Sequence, residues 1–150
     1  MAVIIGIDAE WQTITPSSGT DKFVLSDGKT TSDDRPTVSV LSYQWFGLDG
    51  ERTWSDIYYP DLALSEKKKR LKLSQWVSLA LQQGFKNRTW PEQVVVASHY
   101  TTAEMSVISD FNQQKTRLDL IQGSSYASVL RPLQMRCYDK SDNRHDVTVS

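Results

Sequence analysis

The segment from residue 65 to residue 85 constrains the fold most, because it predicts an amphipathic helix between two β-rich regions. Its apolar residues recur at the i, i+3, i+4, i+7 and i+8 positions of one helical stripe, namely Leu73, Trp76, Val77, Ala80 and Leu81. We expect a single helix from Ser65 to about Phe85. A helix between strands favours a crossover connection, and therefore a sheet covered by helices.

The β-rich segments on either side of this helix differ in pattern. Thr37 to Leu48 and Arg52 to Tyr59 are separated by an Asp-Gly turn, so they predict a β-hairpin. Glu92 to Tyr100 contains four consecutive apolar residues, which is typical of a central strand covered on both faces. At the amino terminus, residues 3 to 11 predict a strand with Ile5, Ile7 and Ala9 on one face.

The remaining segments complete the predicted order. Residues 13 to 36 are rich in Ser, Thr, Asp, Gly and Pro, which favours a long loop insertion with a small strand at Phe23 to Leu25. A second helix is predicted from a cap at Thr101 or Thr102 to about Ile121, and a last β-rich piece runs from Tyr126 towards Val149. The predicted fold class is α/β, with a mixed sheet in β-β-β-α-β-α-β order covered by helices.

Composition and length exclude several classes of protein. The 150 residues fit one domain (residues 1–150). The 17 basic and 18 acidic residues leave a net charge of -1, so the overall charge does not indicate a polyanionic partner. No run of about 18 apolar residues occurs, so a membrane-spanning helix is not expected. The single cysteine, Cys137, excludes an internal disulfide, and together with the missing signal sequence it predicts a cytoplasmic location.

The strongest candidate for chemistry is Asp8-Ala9-Glu10 on the first predicted strand. Side chains two apart on a strand share a face, so the two carboxylates stand about 7 Å apart. Paired carboxylates repel each other unless a proton or a hard divalent cation such as Mg²⁺ or Mn²⁺ lies between them. The alternative interpretation is two solvated acids at a strand end.

Glu104 is the second candidate. On the predicted second helix it falls on the apolar stripe with Val107, Ile108 and Phe111, and a carboxylate there requires an ion, a basic side chain or backbone amides as partner. Alternatively, Glu104 is a first-turn acid favoured by the helix dipole.

Together these elements resemble the DnaQ-like (DEDD) 3′-5′ exonucleases of the ribonuclease H-like superfamily. In that family an apolar strand ends in Asp-x-Glu, as Ile4 to Trp11 does here, and a later strand leads into an Ala-His-Asn-x-x-Phe-Asp pattern. Ser98 to Glu104 keeps that spacing, with Tyr100 in place of Asn, Ala103 in place of the aromatic residue and Glu104 in place of Asp. Within that family, the sequence resembles the proofreading domain of a mobile-element DNA polymerase.

The resemblance implies hydrolysis of nucleic acid, DNA rather than RNA, with two Mg²⁺ or Mn²⁺ ions. Asp8 would bridge both ions, Glu10 would hold the ion that activates water, and Glu104 would hold the ion nearer the leaving oxygen. The expected partners are single-stranded DNA or another nucleic-acid 3′ end and a polymerase module on the same chain. Because the sequence shows no late helix with a fourth carboxylate, and stops inside a predicted strand at Ser150, we expect an N-terminal fragment of a longer protein.

Three residues are predicted to contact substrate. Trp11 would stack on the terminal nucleotide, although core packing is the favoured alternative, and His99 would approach a phosphate unless it is simply hydrogen-bonded at a strand end. Tyr100 stands at the position of the family Asn. The basic run Lys67-Lys68-Lys69-Arg70 with Lys72 predicts either phosphate contact or a solvated face, with the solvated face favoured.

Two further interpretations stay open. The first is a non-catalytic ribonuclease H-like docking module for protein or nucleic acid, which the departures at Tyr100, Ala103 and Glu104 favour. The second is an unrelated α/β domain with accidental acids.

Overall fold

The fold is a mixed α/β arrangement built on one six-stranded sheet, seen in a computed structural model. The structure describes residues 2–14, 22–24, 30–32, 37–99, 104–115, 118–120 and 128–150. Its strands are β1 (Val3–Ile14), β2 (Lys22–Val24), β3 (Thr30–Ser32), β4 (Thr37–Asp49), β5 (Arg52–Tyr58), β6 (Gln93–Ala97), β7 (Leu118–Leu120), β8 (Ser128–Leu130), β9 (Leu133–Tyr138) and β10 (Arg144–Val149). Its helices are α1 (Glu66–Lys69), α2 (Leu73–Gly84) and α3 (Phe111–Lys115).

The large sheet has the strand order β5-β4-β1-β6-β10-β9. Strands β1, β4 and β5 are antiparallel, β6 is parallel to β1 and to β10, and β9 returns antiparallel on β10. Strands β2 and β3 form one separate two-stranded ribbon, and β7 and β8 form another. The predicted hairpin is confirmed, and its turn places Gly50 at φ 61°, a conformation that glycine adopts without steric cost.

The core lies on one face of the large sheet. Alternation along β1 buries Ile5, Ile7 and Ala9 as predicted, and α2 packs its apolar stripe against the same face. The Tyr43 ring packs edge-on against Trp76 at 4.9 Å between ring centroids. The Tyr43 hydroxyl donates to the carbonyl of Val107 (2.7 Å) and accepts from the amide of Leu71 (3.1 Å).

The opposite face of the sheet differs from the prediction. Strand β6 is central, but it is not covered on both faces, because Val94 is 1% exposed while Val95 is 43% exposed. Its neighbours on that open face include Ile4, which pairs with Val95, and Phe46, which is 53% exposed. Helices therefore cover one face of this sheet, and the described residues leave apolar side chains exposed on the other.

The first predicted helix is interrupted. Its first turn is α1, capped by the Ser65 hydroxyl, and the backbone is extended at Arg70 and Lys72 before α2 begins at Leu73. The apolar stripe begins only at Leu73, so the residues before it had no periodic apolar contact to hold them in the same helix. The Asp110 carboxylate accepts from the amide of Leu73 (3.0 Å), which satisfies a free amide of the new helix start.

The second predicted helix is also wrong in its extent. Glu104 and Met105 are helical, residues 106 to 110 form turns, and α3 then spans only Phe111–Lys115. Instead of continuing to Ile121, the chain places Leu118–Leu120 in a strand paired with β8. The predicted caps at Thr101 and Thr102 and most of the predicted loop between residues 13 and 36 lie outside the described residues. At its start that segment is not a loop, since β1 continues to Ile14.

Candidate functional site

Strand β1 presents Asp8 and Glu10 together on the open face of the sheet. Asp8 lies opposite Gln44 of β4 and Glu10 opposite Ser42, and both carboxylates are exposed. The pairing of β6 with β1 ends at Ala97 and Gly6, so the carboxylates lie just past the carboxyl end of β6. Ligands of α/β sheets usually bind beyond the carboxyl ends of parallel strands.

A β-bulge follows the carboxylates. Glu10 pairs with Ser42, but Trp11 pairs with Val40, so Leu41 is the additional residue on β4. Such bulges bend a strand and redirect side chains, and they are frequent beside functional sites. Beyond the bulge the Trp11 side chain is half-buried against the core, which is the alternative role expected for it.

A shallow depression of about 360 Å³ opens beside Asp8. Its floor has little side-chain bulk because it includes Gly6 and Ala97, and Phe46 and His99 border it. The depression therefore offers an apolar surface next to a carboxylate. His99 is exposed there, while Tyr100, the other predicted contact from this loop, lies outside the described residues.

Gln44 contributes polar atoms to the same depression. Its Nε2 donates to the Ser42 hydroxyl (2.7 Å), and its buried Oε1 has no hydrogen-bond partner in the described part of the chain. A buried acceptor without a partner costs about 1–3 kcal/mol, so this oxygen favours a donor or cation brought by a ligand. Sequence reasoning missed Gln44, and only its position opposite Asp8 on a neighbouring strand would have indicated it.

Glu104 occupies a different environment. It is 5% exposed, as the apolar stripe predicted, and Met105, Val107 and Ile108 after it are buried in the core. The bond from Tyr43 to the carbonyl of Val107 places that segment on the core face of the sheet, whereas Asp8 and Glu10 project from the other face. Within the described ranges no three His, Cys, Asp or Glu side chains are grouped to hold a metal ion. Metal binding by Asp8, Glu10 and Glu104 together stays a prediction.

The basic run divides into two kinds of side chain. Lys69 is buried and its Nζ lies 2.9 Å from Glu66 Oε1, a hydrogen bond that lowers the pKa of Glu66. Arg70 donates to the carbonyl of Val38 (3.2 Å). Lys67, Lys68 and Lys72 are exposed, so these three side chains form a solvated face.

None of the helices in the part of the chain that the structure describes is long and apolar enough to cross a membrane. Comparisons of this chain with protein-family models, with curated proteins and with solved structures find no match.

Proposed function

We propose that this chain is a ribonuclease H-like domain that acts on nucleic-acid 3′ ends as a 3′-5′ exonuclease. The observation that carries the proposal is the paired projection of Asp8 and Glu10 from β1, beyond the end of its parallel neighbour β6. Along the chain, the strands of the large sheet and the helices run in the order β-β-β-α-α-β-α-β-β, which is consistent with a mixed α/β class.

The oxygen donors at this face suit one hard divalent cation. Asp8 and Glu10 provide carboxylates, and Gln44, whose buried Oε1 has no partner in the described part of the chain, lines the same depression. They do not fit the expected pair of ions, because Glu104 is not grouped with them among the described residues. We therefore derive no hydrolytic step that passes through two ions. When bound, a divalent ion supplies charge stabilisation to phosphoryl transfer.

The role of the protein's own residues is to bind the 3′ end of the nucleic-acid strand. The apolar floor at Gly6 and Ala97 would accommodate the flat face of a nucleotide, and the exposed Phe46 ring would border it. His99 would donate a hydrogen bond to a phosphate oxygen from the loop after β6. Glu104 is buried on the core side of the sheet and is given no role in holding the 3′ end.

The test combines Mn²⁺ calorimetry with an assay of 3′-end shortening on labelled single-stranded DNA. We expect saturable Mn²⁺ binding that is lost in Asp8→Asn and in Glu10→Gln, and shortening that is lost with it. The matched control is Glu51→Gln, an exposed acid in the turn after β4, which should behave as the wild type does. Equal Mn²⁺ binding by wild type, Asp8→Asn and Glu51→Gln would contradict the proposal.

One observation favours a second candidate, a non-catalytic docking module. The open face of the sheet exposes Ile4, Phe46 and Val95 at 37%, 53% and 43%. Contiguous exposed apolar side chains of this kind are typical of interaction surfaces. A folded wild-type chain that binds no Mn²⁺ at millimolar concentration and shortens no DNA would support this candidate against the exonuclease.

A further inference from the structure

A groove separate from the depression beside Asp8 lies at the amino-terminal ends of β6 and β10, whereas Asp8 and Glu10 lie past the carboxyl end of β6. It has a volume of about 590 Å³ and is lined by the turn after α2 and by the turn between β9 and β10. Trp90, just before β6, lines this groove. His99, which borders the depression beside Asp8, follows the other end of β6. The five residues of β6 are about 17 Å long, so this groove is separate from the carboxylate face.

Cationic side chains from both turns line this groove. Lys86 and Arg88 come from the turn after α2, and Lys140 comes from the turn between β9 and β10. All three are exposed, and among the described residues none of them forms a salt bridge. Cations after a helix are favoured by its dipole, which accounts for Lys86 and Arg88. The dipole does not account for Lys140, which reaches the same groove from a different part of the chain.

Among the described residues, Asp139 is the one acid in the lining, and its carboxylate is hydrogen-bonded within its own turn. Asp139 lies 3.0 Å from Nε2 of His145 and accepts from the amides of Ser141 and Asn143, each at 2.9 Å. These hydrogen bonds, that of His145 first, lower the pKa of Asp139 to about 2. Asp139 therefore stays ionised at neutral pH, so the lining carries three cationic side chains against one carboxylate and the balance of charge is positive.

Two stacked rings, Trp90 and His145, form one side of the groove. The Trp90 and His145 rings are stacked, with centroids 4.3 Å apart and planes 15° from parallel. His145 is therefore held between Trp90 and Asp139 and contributes a fixed ring edge to the groove. On a chain of net charge -1, this local concentration of positive charge is not a consequence of overall composition.

We propose that this groove binds phosphate groups through Lys86, Arg88 and Lys140. The phosphate belongs either to a free nucleotide or to the backbone of a nucleic-acid strand, since both present the same oxyanion to the cations. The site goes beyond the proposed exonuclease activity and does not depend on the carboxylates of β1.

The test is a calorimetric titration of the full chain with three probes: inorganic phosphate, a 5′-mononucleotide and a short single-stranded oligothymidylate. The variant is Lys86→Gln/Arg88→Gln/Lys140→Gln, and the matched control is Lys67→Gln/Lys68→Gln/Lys72→Gln, which removes three other exposed lysines. We expect the groove variant to weaken binding of at least one probe by about tenfold or more, and the control to weaken it less than about threefold. Thermal melting of both variants checks that these surface changes leave the fold intact.

The probes distinguish the two sources of phosphate. If a strand is the ligand, the oligothymidylate binds best, and the slope of log affinity against log salt falls by about 2 in the groove variant, at roughly 0.7 per lost phosphate contact. If a free nucleotide is the ligand, the mononucleotide binds at least as tightly as the oligothymidylate. Equal affinity of wild type and groove variant for every probe, or no binding of any probe, would overturn the proposal. Repeating the titrations in EDTA and in an Asp8→Asn background removes metal-dependent binding at the carboxylate face, so failure of that face and failure of this groove are separable.

Discussion

The Trp54 ring is enclosed so tightly that adding one methyl group beside it should destabilise the protein. The ring packs between Gly47 of β4 and Gly84 at the end of α2, and its Nε1 donates to the carbonyl of Ala80 (2.9 Å). Arg52 and Phe85 contact the ring as well, with the Arg52 guanidinium 4.9 Å from its centroid. A Cβ at position 84 would overlap the ring, lying 2.7 Å from Nε1 even at its third-nearest atom.

This contact reverses the usual sign of a Gly→Ala change in a helix. Alanine normally stabilises a helix interior by up to about 1 kcal/mol relative to glycine. Here the nearest ring atom would lie 2.2 Å from the new Cβ, so the ring would have to withdraw by more than about 1 Å to reach ordinary van der Waals distance. Overpacking of this kind costs about 1–3 kcal/mol, so we expect Gly84→Ala to lower the free energy of unfolding by about 1–2 kcal/mol. Gly47→Ala should do the same, because its Cβ would overlap the other side of the ring.

The assay is thermal unfolding followed by circular dichroism, with Gly6→Ala as control. At Gly6 an added Cβ would lie 3.6 Å from its nearest atom, which is ordinary contact. For a chain of this size each kcal/mol lowers Tm by about 2–4 °C, so we expect a clear decrease for Gly84→Ala and Gly47→Ala and almost none for Gly6→Ala. Trp54→Leu combined with Gly84→Ala should be less destabilising than the two single changes added together. A Tm for Gly84→Ala at or above that of the wild type would refute the reasoning.

Three further substitutions and one labelling experiment test other contacts. Tyr43→Phe should lower the free energy of unfolding by about 1–3 kcal/mol in urea titrations, since it leaves the buried carbonyl of Val107 and the part-buried amide of Leu71 without their partner, and an unaltered midpoint would argue against these contacts. Burial raises the pKa of Tyr43 to about 12, so the phenolate absorbance of Tyr43 should develop only around that pH in the folded protein. Asp110→Ala should cost about 1 kcal/mol because the start of α2 loses its cap, whereas a helix content and Tm equal to those of the wild type would show that the cap is dispensable. The lowered pKa of Asp139 means that its ionised form stabilises the fold above about pH 4, and that this contribution is lost as the pH falls towards 2. Asp139→Asn should therefore flatten the dependence of Tm on pH in that range. Parallel curves of Tm against pH for the variant and the wild type would contradict this. Burial raises the pKa of the Cys137 thiol, so a thiol reagent should label the native chain far more slowly than the urea-unfolded chain, and equal rates would show that the thiol is accessible.

Local patterns predicted the strands better than the helix boundaries. Alternation along β1 correctly separated Ile5 and Ile7 from Asp8, because successive side chains of a strand point to opposite faces. The apolar stripe begins only at Leu73, so the predicted helix was extended too far towards Ser65. The hydrogen bond from the amide of Leu73 to the distant carboxylate of Asp110, which caps the new helix start, is not visible in any local pattern.

The candidate site was predicted only where it is local to one strand. The shared face of Asp8 and Glu10 follows from their spacing alone. Gln44 joins them because β4 pairs with β1 in one particular register, and the bulge at Leu41 sets where that register changes. The burial of Glu104 followed from its stripe, but its separation from the carboxylate pair depends on how the whole segment packs beneath Tyr43.

The parallel pairings at the centre of the sheet have a consequence for folding kinetics. The β4–β5 hairpin joins residues that are close in sequence and can form early. The parallel pairings of β6 with β1 and with β10 join residues far apart in sequence, such as Val94 and Val149, so they are expected to form later. Until β10 arrives, β6 is an edge strand with unpaired backbone groups and exposed valines. We therefore expect a slow-folding intermediate that is prone to associate through this edge, and a refolding yield that falls as the protein concentration rises.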